Sequence, residues 1–241
     1  VLTTVVMFSI SGVGYRWFTA LFAGIVGISS AFLGLIALVG VQTMAKVPIF
    51  GYVAKRFAAY FNPFKDLTGS GLQLSHSYYA MSNGGWFGLG LGNSIEKTGY
   101  LPEATTDFVF SIVIEELGLI GAGLILALLF FLILRVMIVG VKARNPFNSM
   151  MALGVGALML MQVFVNIGGI SGLIPSTGVT FPFLSQGGNS LLVTSVGIAF
   201  VLNIAANEKR DNIVQAIEEE LSQTQELESQ DEKIVPLRRS R

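Results

Sequence analysis

Asp107 is the residue with the most chemical promise. It stands in Pro102-Glu103-Ala104-Thr105-Thr106-Asp107-Phe108, just ahead of an apolar run. Thr105 or Thr106 is of the type that caps a helix. Asp107 would then sit in the first turn, where the helix dipole favours an anion. Two readings are open: a carboxylate that completes the cap, or a general base at a membrane boundary. Glu115 would lie about 12 Å further along such a helix. That exceeds the roughly 5–9.5 Å between the paired carboxylates of glycoside hydrolases. Glu115 and Glu116 are therefore expected to be an interfacial pair with a structural role. Arg56 and Lys97 are the candidate cations. A phosphate-type leaving group develops negative charge and needs positive charge beside it. Arg binds phosphate through two parallel hydrogen bonds, and Lys offers a point charge. The competing reading is basic residues in solvent or against lipid headgroups.

Other residues point away from chemistry. His76 is the single histidine and there are no cysteines. That leaves too few ligands for a zinc site, and disulfides and thiol nucleophiles are excluded. Gly85-Trp86-Phe87-Gly88-Leu89-Gly90-Leu91-Gly92 mimics a nucleotide-binding fingerprint, but no strand precedes it and no helix follows. Trp86 and Phe87 are better read as membrane-interface anchors. Ser185, in Ser185-Gln186-Gly187-Gly188, is not a nucleophile elbow and has no base in view.

The elements that must position these groups are membrane helices. The 241 residues are 52% hydrophobic and 12% charged, against about 25% charged in soluble domains. Net charge is zero, which gives no electrostatic footprint for nucleic acid. The chain begins at Val1 inside an apolar run without a signal-peptide pattern, and reads as a piece lacking its N-terminal part. Val1–Val13 is too short to span and reads as the end of a helix. Phe18–Val41, Leu117–Leu134, Met150–Ile170 and Ser190–Ala206 are the candidate spans. Arg16, then Arg135, Lys142 and Arg144, then Lys209 and Arg210 fall on one side if each run crosses once. The positive-inside rule makes that side cytoplasmic.

The fold expected is all-α: a polytopic transmembrane helix bundle with one large extracytoplasmic loop and a polar cytoplasmic tail. The divisions are 1–41, a truncated helix plus one span; 42–111, the outer loop with the active-site residues; 112–206, three spans; and 207–241, a largely disordered tail. The outer loop also holds Lys46, Lys55, Lys65, Asp66 and Glu96. A second outer loop, 171–188, contains Pro175 and Pro182 but no charge, as does all of 145–207. Such backbone fits a segment partly within the membrane, buried in protein or lining a polar cavity.

Several stretches together resemble the SEDS family of cell-wall polymerases (shape, elongation, division, sporulation; the FtsW/RodA/SpoVE proteins), and the division-type FtsW branch most closely. They are Arg56 with Phe61-Asn62-Pro63-Phe64, Gly69-Ser70-Gly71-Leu72-Gln73, Gly84–Gly88, Gly90–Ser94, Tyr100–Phe110 and Glu115–Gly118. A second block runs from Asn166-Ile167-Gly168-Gly169 through Pro175, Thr177-Gly178 and Pro182-Phe183 to Ser185–Ser190. The resemblance covers nearly all of residues 1–210. The family usually has Tyr at the position of Gln186 and commonly His at that of Thr105.

The resemblance implies about ten membrane helices in a complete protein, of which this chain supplies roughly the last four. It implies a peptidoglycan glycosyltransferase that polymerises lipid II, a disaccharide-peptide on undecaprenyl pyrophosphate, during septal wall synthesis. Asp107 matches the residue on which the family depends. Gln73, Glu103 and Ser185 join Arg56 and Lys97 as expected substrate-binding residues. A divalent cation, Mg or Mn, is an optional helper and no metal ligand is assigned. Expected partners are a class B penicillin-binding protein transpeptidase, other divisome proteins and membrane lipids. The expected location is the bacterial plasma membrane at the division septum, with the site outside and the C-terminus cytoplasmic. Two rival functions stay open: a lipid II flippase or transporter, and a non-catalytic division scaffold.

Overall fold

The computed structural model describes residues 3–5, 7, 15–39, 56–67, 69 and 71–238. Lys46, Lys55, Ser70 and most of the first apolar stretch lie outside the described residues. Helices α1 (Tyr15–Val39), α2 (Leu72–Gly84), α3 (Val109–Lys142), α4 (Pro146–Ile170) and α5 (Gly188–Arg238) follow in chain order, with short 3-10 turns at Pro63–Lys65 and Glu96–Thr98. Among the described residues there is no strand. Three helices there, Val109–Lys142, Pro146–Ile170 and Gly188–Gln225, are long and apolar enough to cross a membrane. The all-α bundle expected from the sequence is what forms.

Each helix has a local cause. In α4 the Asn145 side chain accepts a hydrogen bond from the Phe147 amide at 2.9 Å, and Pro146 occupies the first turn. Asn at the cap with Pro just inside is a strong start signal, so the helix begins four residues ahead of the expected Met150. Glycines let α3 and α4 pack closely: a Cβ on Gly140 would lie 2.7 Å from Leu153 Cγ, and one on Gly156 2.8 Å from Met137 Cγ. Such close approach is how membrane helices gain packing energy. The outward face of α3 leaves Leu124, Leu128, Phe131 and Leu134 exposed, a surface that suits acyl chains.

The tail differs from expectation. Helix α5 continues to Arg238, through the segment expected to be largely disordered, and residues 209–225 are all exposed. Glu and Gln are the commonest residues there, and both favour helix without needing a core.

The most consequential irregularity is a break in α3. Gly118 has φ 71° and ψ 178°, a region open essentially to glycine alone. The break frees backbone groups on both sides, and the glycine-rich run takes them up. The amides of Leu89 and Gly90 donate to the carbonyls of Glu115 and Glu116, both at 2.9 Å; those of Leu119 and Ile120 donate to Gly85 and Trp86 at 2.9 and 3.2 Å. Unpaired backbone is costly where water is scarce, so the run that resembles a nucleotide loop serves to complete a broken helix. Phe181 stacks on Phe110 at 4.8 Å and also lines a groove with Leu129.

Candidate functional site

The segment leading into α3 presents Asp107. Glu103 takes a positive φ of 58°, and its carbonyl accepts from the amides of Thr106 and Phe108 at 3.1 and 3.3 Å. The Thr106 hydroxyl turns back to the Glu103 carboxylate at 2.6 Å. Neither threonine caps α3: Phe108 holds the cap position, with no side-chain cap bond. Asp107 therefore precedes the helix instead of lying in its first turn. The capping reading of this carboxylate is corrected, because Phe108 takes the cap position and no side-chain cap bond forms there.

Three consecutive carbonyls are then clamped from the other side. The Gln186 amide donates to Thr105 O at 2.8 Å. The Ser185 hydroxyl donates to Thr106 O at 2.6 Å. Asn166 Nδ2 donates to both Asp107 O and Val179 O at 2.7 Å. The backbone on both sides of the Asp107 side chain is thus fixed by α4 and by the loop 171–188. Replacing Asn166 with Ala would strand two carbonyls. The expected cost is about 1–3 kcal/mol, read as a lower unfolding midpoint in detergent; a midpoint equal to wild type would contradict the clamp.

Asp107 faces a narrow cleft lined also by Arg56, Gln73, Asn166, Ser176 and Gly178. The free space is about 10 Å³, room for about one water-sized group. Gly178 stands between the two charges. A Cβ there would be 3.2 Å from Asp107 Oδ2 and 3.5 Å from Arg56 Nη2. The Arg56 guanidinium donates to the Ser176 carbonyl and lies 3.5 Å from its hydroxyl. Burial holds the Asp107 carboxyl above the ordinary carboxylate range; the Glu103 charge pushes it the same way and the Arg56 charge opposes. A half-buried carboxylate of raised proton affinity beside a fixed cation is the arrangement a general base uses.

The structure brings Asp107, Arg56 and Gln73 together and places the other expected residues elsewhere. Glu103 is exposed and acts on Asp107 through its charge. Ser185 is buried, donating to Thr106 O and accepting from the Phe181 amide at 2.7 Å, so its hydroxyl holds the two loops together. Lys97 does not line the cleft. Its ammonium pairs with Glu116. Glu115 is fully buried and accepts from Ser94, from Asn83 at 3.1 Å and from the Ile95 amide at 3.2 Å, a structural anchor for the loop. His76 Nδ1 and Glu96 Oε2 are 2.6 Å apart. Among the described residues no cluster of three His, Cys, Asp or Glu is arranged to hold a metal.

Residues 1–210 match the profile of the FtsW/RodA/SpoVE family, described as "Cell cycle protein". The chain belongs to this family. It is 55% identical over 208 residues to the probable peptidoglycan glycosyltransferase FtsW of Lactococcus lactis subsp. lactis (strain IL1403), covering 86% of this chain and 50% of that protein. It is 45% identical over 175 residues to the stage V sporulation protein E of Bacillus subtilis (strain 168), covering 72% and 47%. The chain thus spans about half the length of the curated relatives it matches. A solved structure, "Structural coordination of polymerization and crosslinking by a peptidoglycan synthase complex", shares the fold with a TM-score of 0.59 at 23% identity, covering 86% of this chain and 53% of that one.

Proposed function

We propose that this chain carries the catalytic cleft of a membrane peptidoglycan glycosyltransferase that polymerises lipid II at the outer face of the bacterial plasma membrane during septal wall synthesis. The observation that carries the reading is the Asp107 cleft, where a half-buried carboxylate of raised pKa meets Arg56 in a space of hydroxyl size. Asp107 takes the proton of the acceptor sugar hydroxyl. The hydroxyl oxygen attacks the anomeric carbon of a second lipid-linked unit, and undecaprenyl pyrophosphate leaves with inversion. Arg56 is the cation placed to meet the charge that develops on the leaving group. Lys97, held by Glu116, is not so placed.

An apolar groove of about 210 Å³ between Ile125, Leu132 and Phe181–Leu184 suits an isoprenoid tail. A divalent cation would take one or two carboxylates, with phosphate oxygens of the substrate completing its shell; with Asp107 used as the base, Glu103 is the carboxylate beside the cleft left for that role. A crosslinking partner, a class B penicillin-binding protein, fits the coupling of polymerisation and crosslinking named for the solved complex. Other division proteins would meet the chain at the septum.

The test is polymer formation by the full-length protein from lipid II in detergent, followed against pH. The base must be ionised, so the rate should rise with pH through the raised pKa of Asp107 and then level off. Glu103→Gln removes a charge that raises this pKa and should move the rising limb to lower pH. Arg56→Gln removes a charge that lowers it and should move the limb to higher pH. A flippase needs two compartments, so absence of polymer in detergent, with transport in vesicles, would favour translocation. A limb that neither variant moves would contradict Asp107 as the base.

A further inference from the structure

The end of the bundle away from the Asp107 cleft carries a further cavity. Helix α4 links the two: Asn145 begins it and Asn166, which grips Asp107, lies about 32 Å along its axis. There, α3 and α5 enclose a groove of about 530 Å³, with Arg135, Lys142, Arg144 and Lys209 on its walls and Glu208 as its single acid. Glu208 is occupied by the Arg144 amide, which donates to it at 3.0 Å. The Arg144 guanidinium is held by the neutral side chains of Gln215 and Asn212, the latter at 2.6 Å. Those bonds fix its position without cancelling its charge. Among the described residues, Arg135, Lys142 and Lys209 make no ion pair. Four cations face one cavity against one carboxylate.

Position adds a second constraint. Arg135 directly follows the apolar run Leu117–Leu134, where acyl chains give way to headgroups. A guanidinium at that border is best accommodated by a polar or anionic partner. Its stem can carry the head towards the polar end of the groove. Ile138, Val139 and Ala205 supply apolar wall beside the cations, and Leu134, Val141 and Leu202 are exposed nearby on the same two helices. A ligand that suits both features has an anionic head and hydrocarbon tails.

We propose that this groove binds the phosphate headgroup of an anionic phospholipid, with Arg135 and Lys142 gripping the phosphate and the acyl chains running down α3. Guanidinium binds phosphate oxygens through paired hydrogen bonds, and ammonium adds a point charge. Basic pockets between membrane helices recognise such headgroups. The site is independent of the Asp107 cleft and of the reaction assigned to it.

The test is native mass spectrometry of the full-length protein in detergent, titrated with phosphatidylglycerol, cardiolipin or phosphatidylcholine. The anionic lipids should bind at least tenfold more tightly than phosphatidylcholine. Arg135→Gln with Lys142→Gln should weaken their binding by about 30-fold, at about fivefold per cation, and leave phosphatidylcholine unchanged. The charge-keeping pair Arg135→Lys with Lys142→Arg should retain most binding, which separates lost charge from lost folding. Removing a cation that does not line the groove, with Lys65→Gln, should change nothing. Equal binding of charged and neutral lipids would overturn the proposal, as would wild-type binding by the double Gln variant or equal loss from the Lys65 variant. Displacement of bound lipid by millimolar inorganic phosphate would make the groove a site for free anions and overturn the lipid assignment.

Discussion

Asp107→Asn in the full-length protein should lower the rate of glycan polymerisation by about 10²–10⁴, the range expected for loss of a general base. The substitution changes little else. Asn matches Asp in shape, and the clamp on residue 107 acts through its carbonyl, which Asn166 still meets. Folding should therefore survive, and the unfolding midpoint should stay close to wild type. What disappears is the ability to accept a proton in a cleft with room for one hydroxyl. Some activity should remain, because Arg56 still opposes the leaving-group charge. The measurement is the initial rate of polymer formation from lipid II with the crosslinking partner present. A scaffold would behave differently: cells carrying Asp107→Asn as their single copy would divide normally, and that result would contradict an enzymatic role.

Gly118→Ala should damage folding instead of chemistry. The backbone at Gly118 lies in a region costing an alanine about 1–3 kcal/mol. A Cβ there would also sit 2.4 Å from both Gly88 N and Trp86 O. Those are backbone atoms of the strap that closes the helix break, so no flexible side chain can yield. The combined loss should exceed about 4 kcal/mol, a size reserved for such special positions. Denaturant titration of purified protein should show it. Hydrogen exchange should also quicken at the amides of Leu89, Gly90, Leu119 and Ile120, whose bonds span the break. Slow exchange at those four amides with a wild-type midpoint would mean that the break does not need glycine.

Much of this fold was legible because hydropathy is a local signal. The run Leu117–Leu134 reads as a span from its length and lack of charge, and a helix long and apolar enough to cross a membrane occupies Val109–Lys142. The Asn145-Pro146 start of α4 was written in the chain and could have been read from its cap chemistry. The break at Gly118 was not legible. One glycine among 28 gains its meaning only from Gly84–Gly90, some thirty residues earlier, packing against it. The same limit applies to the charges. Arg56 and Lys97 look equivalent in sequence, yet Arg56 reaches the cleft whereas Lys97 meets Glu116. Ser185 and Asn166 are also instructive. Both are small polar residues in apolar surroundings, a signal that marks a structural tie as readily as a substrate contact. Their clamp on residues 106 and 107 depends on contacts across more than fifty positions of chain.

The proposed reaction requires the segment that carries Asp107 to face the exterior, where a lipid-linked sugar would meet it. A single cysteine in place of Glu103, an exposed neighbour on that segment, in an otherwise cysteine-free full-length protein in intact cells, reports this directly. Reaction with a membrane-impermeant maleimide before any permeabilisation is the predicted outcome. Labelling only after the membrane is opened would place the cleft on the cytoplasmic side and contradict the account.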